Sequence, residues 1–129
     1  MRVWSREQRR AGRRVGFVPT MGFLHEGHLR LIDRARAATD VVVVSDFVNP
    51  LQFGPNEDFT QYPRDLERDR MLAAGRGASC CFTPSTDTMY GEPPVVRVTP
   101  GELANHLCGP FRPGHFQGVL TVVAKLFHI

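Results

Sequence analysis

Nowhere in these 129 residues does an apolar run approach the roughly 20 residues that a bilayer-spanning helix needs. The N-terminus also lacks the apolar stretch of a signal peptide. No membrane partner is therefore expected. The cysteines are few and odd in number (Cys80, Cys81 and Cys108), and no Cys-x-x-Cys occurs. Cys80 and Cys81 are adjacent and would point to opposite sides of any strand. A disulfide framework is excluded on that count, and a reducing, cytoplasmic setting is the simple expectation. Lysine is almost absent: Lys125 stands alone. No Gly-x-x-x-x-Gly-Lys-Ser/Thr phosphate loop is present. Repeats and low-complexity tracts are missing too. Charge of one sign is not in large excess, with a net +3. The basic residues Arg2, Arg6, Arg9, Arg10, Arg13 and Arg14 gather at one end, which reads as a solvated segment rather than a nucleic-acid surface. Glu7 and the scarcity of serine there also argue against a transit peptide.

What is present is an ordinary globular composition, 42% hydrophobic and 22% charged, enough for one domain with a modest core. Val15–Val18 reads as a buried strand. A helix follows over residues 24–38, with Leu31, Ile32, Ala35 and Ala38 expected on one face. The four valines 41–44 read as a strand covered on both sides, as in a parallel sheet. Residues 45–63 read as a loop, 64–74 as a helix closed by Gly75, and Cys80–Phe82 as a third strand. Residues 95–98 are another apolar segment. Pro100 is suited to start a short helix through Leu107, 109–114 is a loop, and 118–127 an apolar helix. Alternating strands and helices argue for an α/β fold with a parallel sheet. Such sheets bind ligands at the carboxyl ends of their strands.

Three clusters fall at such positions. The first is His25-Glu26-Gly27-His28, between a Pro19-Thr20-Met21-Gly22 turn and a helix. A helix N-terminus offers unpaired N–H groups and partial positive charge. Residues three apart share a helical face, so both imidazoles can address one anion. Taken alone, the pattern suits a polar helix cap equally well. A zinc site fits poorly, because zincins need His-Glu-x-x-His with histidines four apart, so no metal ligand is expected among these residues. The second cluster surrounds Asn49 and Gln52, uncharged donors and acceptors between apolar residues that suit a small polar substrate; ordinary turn chemistry accounts for them as well. Arg112-Pro113-Gly114-His115 is the third, where an arginine can hold a carboxylate or phosphate and His115 can reach the same anion. A capped helix with a surface arginine is the plainer alternative.

Four stretches together carry a resemblance: GFVPTMGFLHEGH at 16–28, FVNPLQFGPNED at 47–58, YPRDLERD at 62–69 and RPGHFQGVLTVVAKLFHI at 112–129. They resemble the pantothenate synthetases (pantoate–β-alanine ligases). The His-x-Gly-His element alone would indicate only the wider nucleotidyltransferase superfamily. The resemblance implies a Rossmann-like domain of that superfamily over residues 15–129, with 1–14 a short basic segment before it. It implies ATP and Mg2+, the substrates pantoate and β-alanine, a pantoyl-adenylate intermediate, and a homodimer. By match, Met21, His25, Gly27 and His28 contact ATP. Met21, Asn49, Gln52 and Tyr62 lie on the pantoate side, and His25, His28, Arg112 and His115 are catalytic. Asp46 stands where the family more often has an apolar residue. Family members continue past residue 129 with a Phe-Gly-x-Lys-Asp segment, a second phosphate-binding segment and a second domain. The chain is thus expected to be the N-terminal portion of such a ligase; the alternative is a truncated, inactive nucleotide-binding remnant. Expressed by itself it is expected to make no pantothenate.

Overall fold

A computed structural model describes residues 1–55, 57–91 and 96–129. Asn56 of the second matching stretch and Val95 of the apolar segment 95–98 lie outside the described residues. Two compact units divide the chain. One comprises Met1–Val48, Pro63–Pro84 and Ile129; the other comprises Asn49–Tyr62 and Ser85–His128.

The first unit is a parallel α/β layer. Its sheet runs in the order β1-β2-β3, with β1 Val15–Thr20, β2 Val41–Asp46 and β3 Cys80–Phe82. Both pairings are parallel, with Val15 beside Val41 and Val43 beside Cys80. The four valines of β2 are all buried, as a strand covered on both faces requires. β2 is the central strand, and among the described residues β1 lies at an edge. Around the sheet stand α1 (Arg2–Arg10), α2 (Glu26–Ala38) and α3 (Leu66–Gly75). The basic N-terminal segment is thus helical, and its arginines are exposed.

The core of this unit is formed by Val18, Leu24, Leu29, Ile32, Val42, Val44 and Ala73. The buried face of α2 therefore differs from the expected one. Leu29, Ile32 and Ala35 turn inward at helical spacing, whereas Leu31 is 53% exposed and Ala38 is exposed. Leu31 adjoins Ile32 in sequence, and adjacent residues on a helix point about 100° apart, so only one of them can face the sheet. Asp65 caps α3 by accepting the Arg68 N–H at 3.1 Å. Gly75 is the last residue of α3 rather than the stop after it; the chain reverses at Gly77, which has φ +79°.

In the second unit a 3-10 turn, Pro50–Gln52, stands beside α5, which spans His115–Phe127. α5 begins earlier than its apolar pattern suggested, because His115, Phe116 and Gln117 already form its first turn. A short α4 (Thr86–Tyr90) is capped by Ser85. The helix expected from Pro100 is only a 3-10 turn over Glu102–Asn105, and a second covers Gly109–Phe111. Residues 96–98 form no strand.

Burial separates two neighbouring apolar residues of α2 into a test. Ile32, fully buried, should cost about 2–5 kcal/mol when cut to alanine. Leu31→Ala should change stability by no more than about 0.5 kcal/mol. Chemical denaturation of both variants checks this, and equal losses would contradict the assigned helix face.

Candidate active site

At the carboxyl end of β1 the chain makes a tight turn. Gly22 and Phe23 have φ +79° and +50°, the latter uncommon for a side-chain-bearing residue. Thr20 Oγ1 donates to the Ser45 carbonyl at 2.7 Å and accepts the Gly22 N–H at 3.2 Å, which ties the turn to the end of β2. The stronger restraint comes from α3. The carboxylate of Asp69, 1% exposed, accepts the N–H of Phe23 at 2.5 Å and that of Leu24 at 2.7 Å. Arg68 Nη1 lies 3.3 Å from Asp69 Oδ1 and donates to the Leu24 carbonyl at 3.0 Å, while its guanidinium sits 5.4 Å above the Phe23 ring. A buried carboxylate is tolerable only with such partners. Here the charge is used to hold two backbone amides in a conformation they would otherwise leave.

The clamped turn delivers His25 as the N-cap of α2. Its Nδ1 accepts the Gly27 N–H at 3.1 Å, and His28 Nδ1 accepts the His25 N–H at 3.4 Å, a reciprocal cap made by two imidazoles. Since both Nδ1 atoms accept, both rings carry their proton on Nε2. The rings lie 4.0 Å apart, centre to centre. Gly27 permits this: a Cβ there would stand 2.9 Å from His25 Cε1. Partial burial, then the neighbouring His25, holds the His28 pKa below its ordinary value, with Asp69 opposing. His28 is therefore a neutral donor at neutral pH. Met21 leads into the turn, half-buried.

The second unit carries the other cluster. Asn49, 1% exposed, is saturated. Its Oδ1 accepts the Leu51 N–H at 3.3 Å and the Tyr90 hydroxyl at 2.7 Å; its Nδ2 donates to Gln52 Oε1 and to the Gly118 carbonyl, both at 3.1 Å. Burial pushes the Tyr90 phenol up to about 12, so it remains a donor. Arg112 grips the carboxylate of Glu57 bidentately, at 2.7 Å from Nε and 2.6 Å from Nη2. Its Nη1 donates to His115 Nε2 at 3.1 Å, and His115 Nδ1 donates to the Gln52 carbonyl at 2.8 Å. Tyr62 stands edge-on to Phe53, 5.9 Å between ring centres, and Phe59 meets Phe53 in the same way.

Over its whole length, residues 1–129, the chain matches the family model described as Pantoate-beta-alanine ligase. The chain belongs to the pantoate–β-alanine ligase family. It is 60% identical to a pantothenate synthetase of Geobacillus kaustophilus, a match covering all of this chain and 43% of that protein. A pantothenate synthetase of Heliobacterium modesticaldum is also 60% identical, with 100% and 46% covered. Among solved structures it is similar to the pantothenate synthetase of Thermus thermophilus, with a TM-score of 0.85 and 58% identity over 88% of this chain and 42% of that one. The pantoate-β-alanine ligase of Francisella tularensis, complexed with beta-gamma ATP and beta-alanine, gives a TM-score of 0.86 and 47% identity over 91% and 45%. The chain thus spans under half the length of these relatives.

Set against the ligase family, the first unit brings Met21, His25, Gly27 and His28 together on one turn, and the second brings Asn49, Gln52, Arg112 and His115 into one network. Reading from sequence missed three residues on which these networks rest: Asp69, Glu57 and Tyr90. Asp69 and Glu57 lie inside the matching stretches 62–69 and 47–58, but no spacing signal tells which carboxylate turns inward. Asp46, at the end of β2, is half-buried. Burial and the nearby Asp69 raise its pKa. Burial likewise raises the thiol pKa values of Cys80 and Cys81, which makes both poor nucleophiles.

The Glu57–Arg112 pair gives a pH test. Hydrogen bonding to Arg112 lowers the Glu57 pKa from 4.5 to about 2. Its folded pKa is depressed, so its stabilising contribution is present above pH 4.5 and is lost as pH falls towards 2. The Tm difference between the native protein and Glu57→Gln should shrink across that window. A difference independent of pH would contradict the pairing.

Proposed function

We propose that this chain is the nucleotide-turn and pantoate-side part of an ATP-dependent ligase that condenses pantoate with β-alanine. A pantoate carboxylate oxygen attacks the α-phosphorus of ATP, the bond to the β-phosphate oxygen breaks, and pyrophosphate leaves. The amine of β-alanine then attacks the acyl carbon of pantoyl adenylate, AMP leaves with the bonding pair, and the nitrogen gives up a proton. Magnesium arrives on the ATP phosphates as part of that substrate. The observation that carries this reading is the reciprocal imidazole cap on a clamped turn at the carboxyl end of β1.

Negative charge grows on the α-phosphoryl and departing oxygens during adenylation. The two Nε2–H groups, fixed before the reaction, and the positive end of α2 would stabilise that charge at no reorganisation cost. Met21 and Gly27 would shape the same contact with ATP. Gln52 and Tyr62 would hold pantoate. Asn49, with all its hydrogen bonds spent inside the chain, acts as a positioning residue for Gln52. Arg112 and His115 act in the same way, since Glu57 and the Gln52 carbonyl engage them. The second step is mainly alignment of two bound reactants. Free cysteines accord with a reducing cytoplasm. The exposed Leu103, Leu107 and Phe111 accord with a homodimer.

In the whole protein, His28→Ala should slow pantoyl-adenylate formation by about 100- to 1000-fold, the size of losing one preorganised donor, while pantoate binding changes little. Gln52→Ala should instead raise the pantoate requirement and leave that for ATP alone. Single-turnover adenylation and steady-state kinetics with each substrate varied check both. An unchanged adenylation rate in His28→Ala would overturn the proposed chemistry.

A further inference from the structure

Within the second unit a cavity of about 80 Å³ opens between the Pro50–Gln52 turn, the start of α5 and the segment at Arg97. Its polar lining includes Gln52, His115, Gln117, Thr121 and Arg97, and among the described residues no acidic side chain lines it. The histidine is already spent, because Nδ1 donates to the Gln52 carbonyl and Nε2 accepts from Arg112. So is the threonine: Thr121 Oγ1 donates to the Gln117 carbonyl at 2.7 Å and accepts the Val98 N–H at 3.0 Å. That last bond pins the residue following Arg97 to α5, on a segment that is otherwise irregular. Arg97 is thereby held at the cavity mouth. Among the described residues it has no hydrogen bond or ion pair, and it is the one guanidinium lining the space. Arg112, by contrast, is neutralised by Glu57.

We propose that Arg97 is a substrate-recognition residue, and that this cavity takes the carboxylate end of a small organic acid. The inference rests on the ligase reading, which supplies two such acids, pantoate and β-alanine. An exposed guanidinium over an acid-free cavity binds a carboxylate through a planar, bidentate contact, and the amide-bearing wall of Gln52 and Gln117 favours a polar group beside it. One water needs about 10–15 Å³ of such space, so the volume admits a carboxylate and the few atoms next to it. The rest of a larger acid lies outside.

Calorimetric titration of the 129-residue protein with pantoate, β-alanine and their neutral amides tests this, in native form and as Arg97→Gln and Arg97→Lys. One of the two acids should bind and lose about tenfold or more in affinity in Arg97→Gln, with partial recovery in Arg97→Lys. Its amide should bind both forms equally weakly, and whichever acid responds identifies the source of the carboxylate. ATP-induced NMR shifts at His25 and His28 should be the same in all three proteins. Equal acid affinity in native protein and Arg97→Gln overturns the proposal, as does failure of both acids to bind while ATP still shifts the two histidines. In either of these cases adenylation that depends on His28 would leave the ligase reading standing. Adenylation indifferent to His28 would remove that reading, whatever Arg97 does.

Discussion

One buried carboxylate governs the geometry of the turn after β1. Asp69 projects from α3 and accepts two consecutive amides, of Phe23 and Leu24, in a turn whose backbone enters the left-handed region at both Gly22 and Phe23. Without that acceptor two buried or half-buried N–H groups would lose their partner, at about 1–3 kcal/mol each. The strained backbone of Phe23 would then lose its strongest restraint. The register of α2 follows from this turn. So does the placement of His25 as its cap, and hence the close approach of the His28 ring to that of His25. The chain of dependence runs from α3 through a backbone turn to two imidazoles.

The second unit uses the same physical device with different chemistry. Asn49 spends both its lone pairs and both its amide protons on four separate groups. Glu57 immobilises Arg112, which in turn fixes the His115 tautomer through Nε2. In both units, groups that look available to a ligand in the sequence are committed to other protein groups. Arg97, exposed in the second unit, has no such commitment among the described residues.

Much of this was legible in the amino-acid sequence. The valine run forecast a strand buried on both faces, and the alternation of apolar segments forecast a parallel sheet. The His25–His28 spacing forecast a shared helical start. What escaped was decided by tertiary partners. Leu31 and Ile32 look equivalent until the sheet chooses one. The pairing of Arg112 with Glu57, distant in sequence, carries no local signal. Asp69 reads as one more acid in a charged helix, because nothing local marks it as the residue facing the turn. α5 starts before its apolar pattern, because that pattern becomes visible only after Gly118, while His115 enters the helix with its side chain bonded to Arg112 and the Gln52 carbonyl.

The imidazole tautomers test the core of this picture most directly. Long-range ¹H–¹⁵N correlation spectra of the protein should show His25 and His28 each with the proton on Nε2 and a bare, hydrogen-bonded Nδ1. Addition of ATP should then move the Nε2 signals of both rings together. Nδ1-protonated rings, or ATP binding that leaves both Nε2 signals in place, would contradict the claim that a carboxylate-clamped turn presents two preset donors to a phosphate.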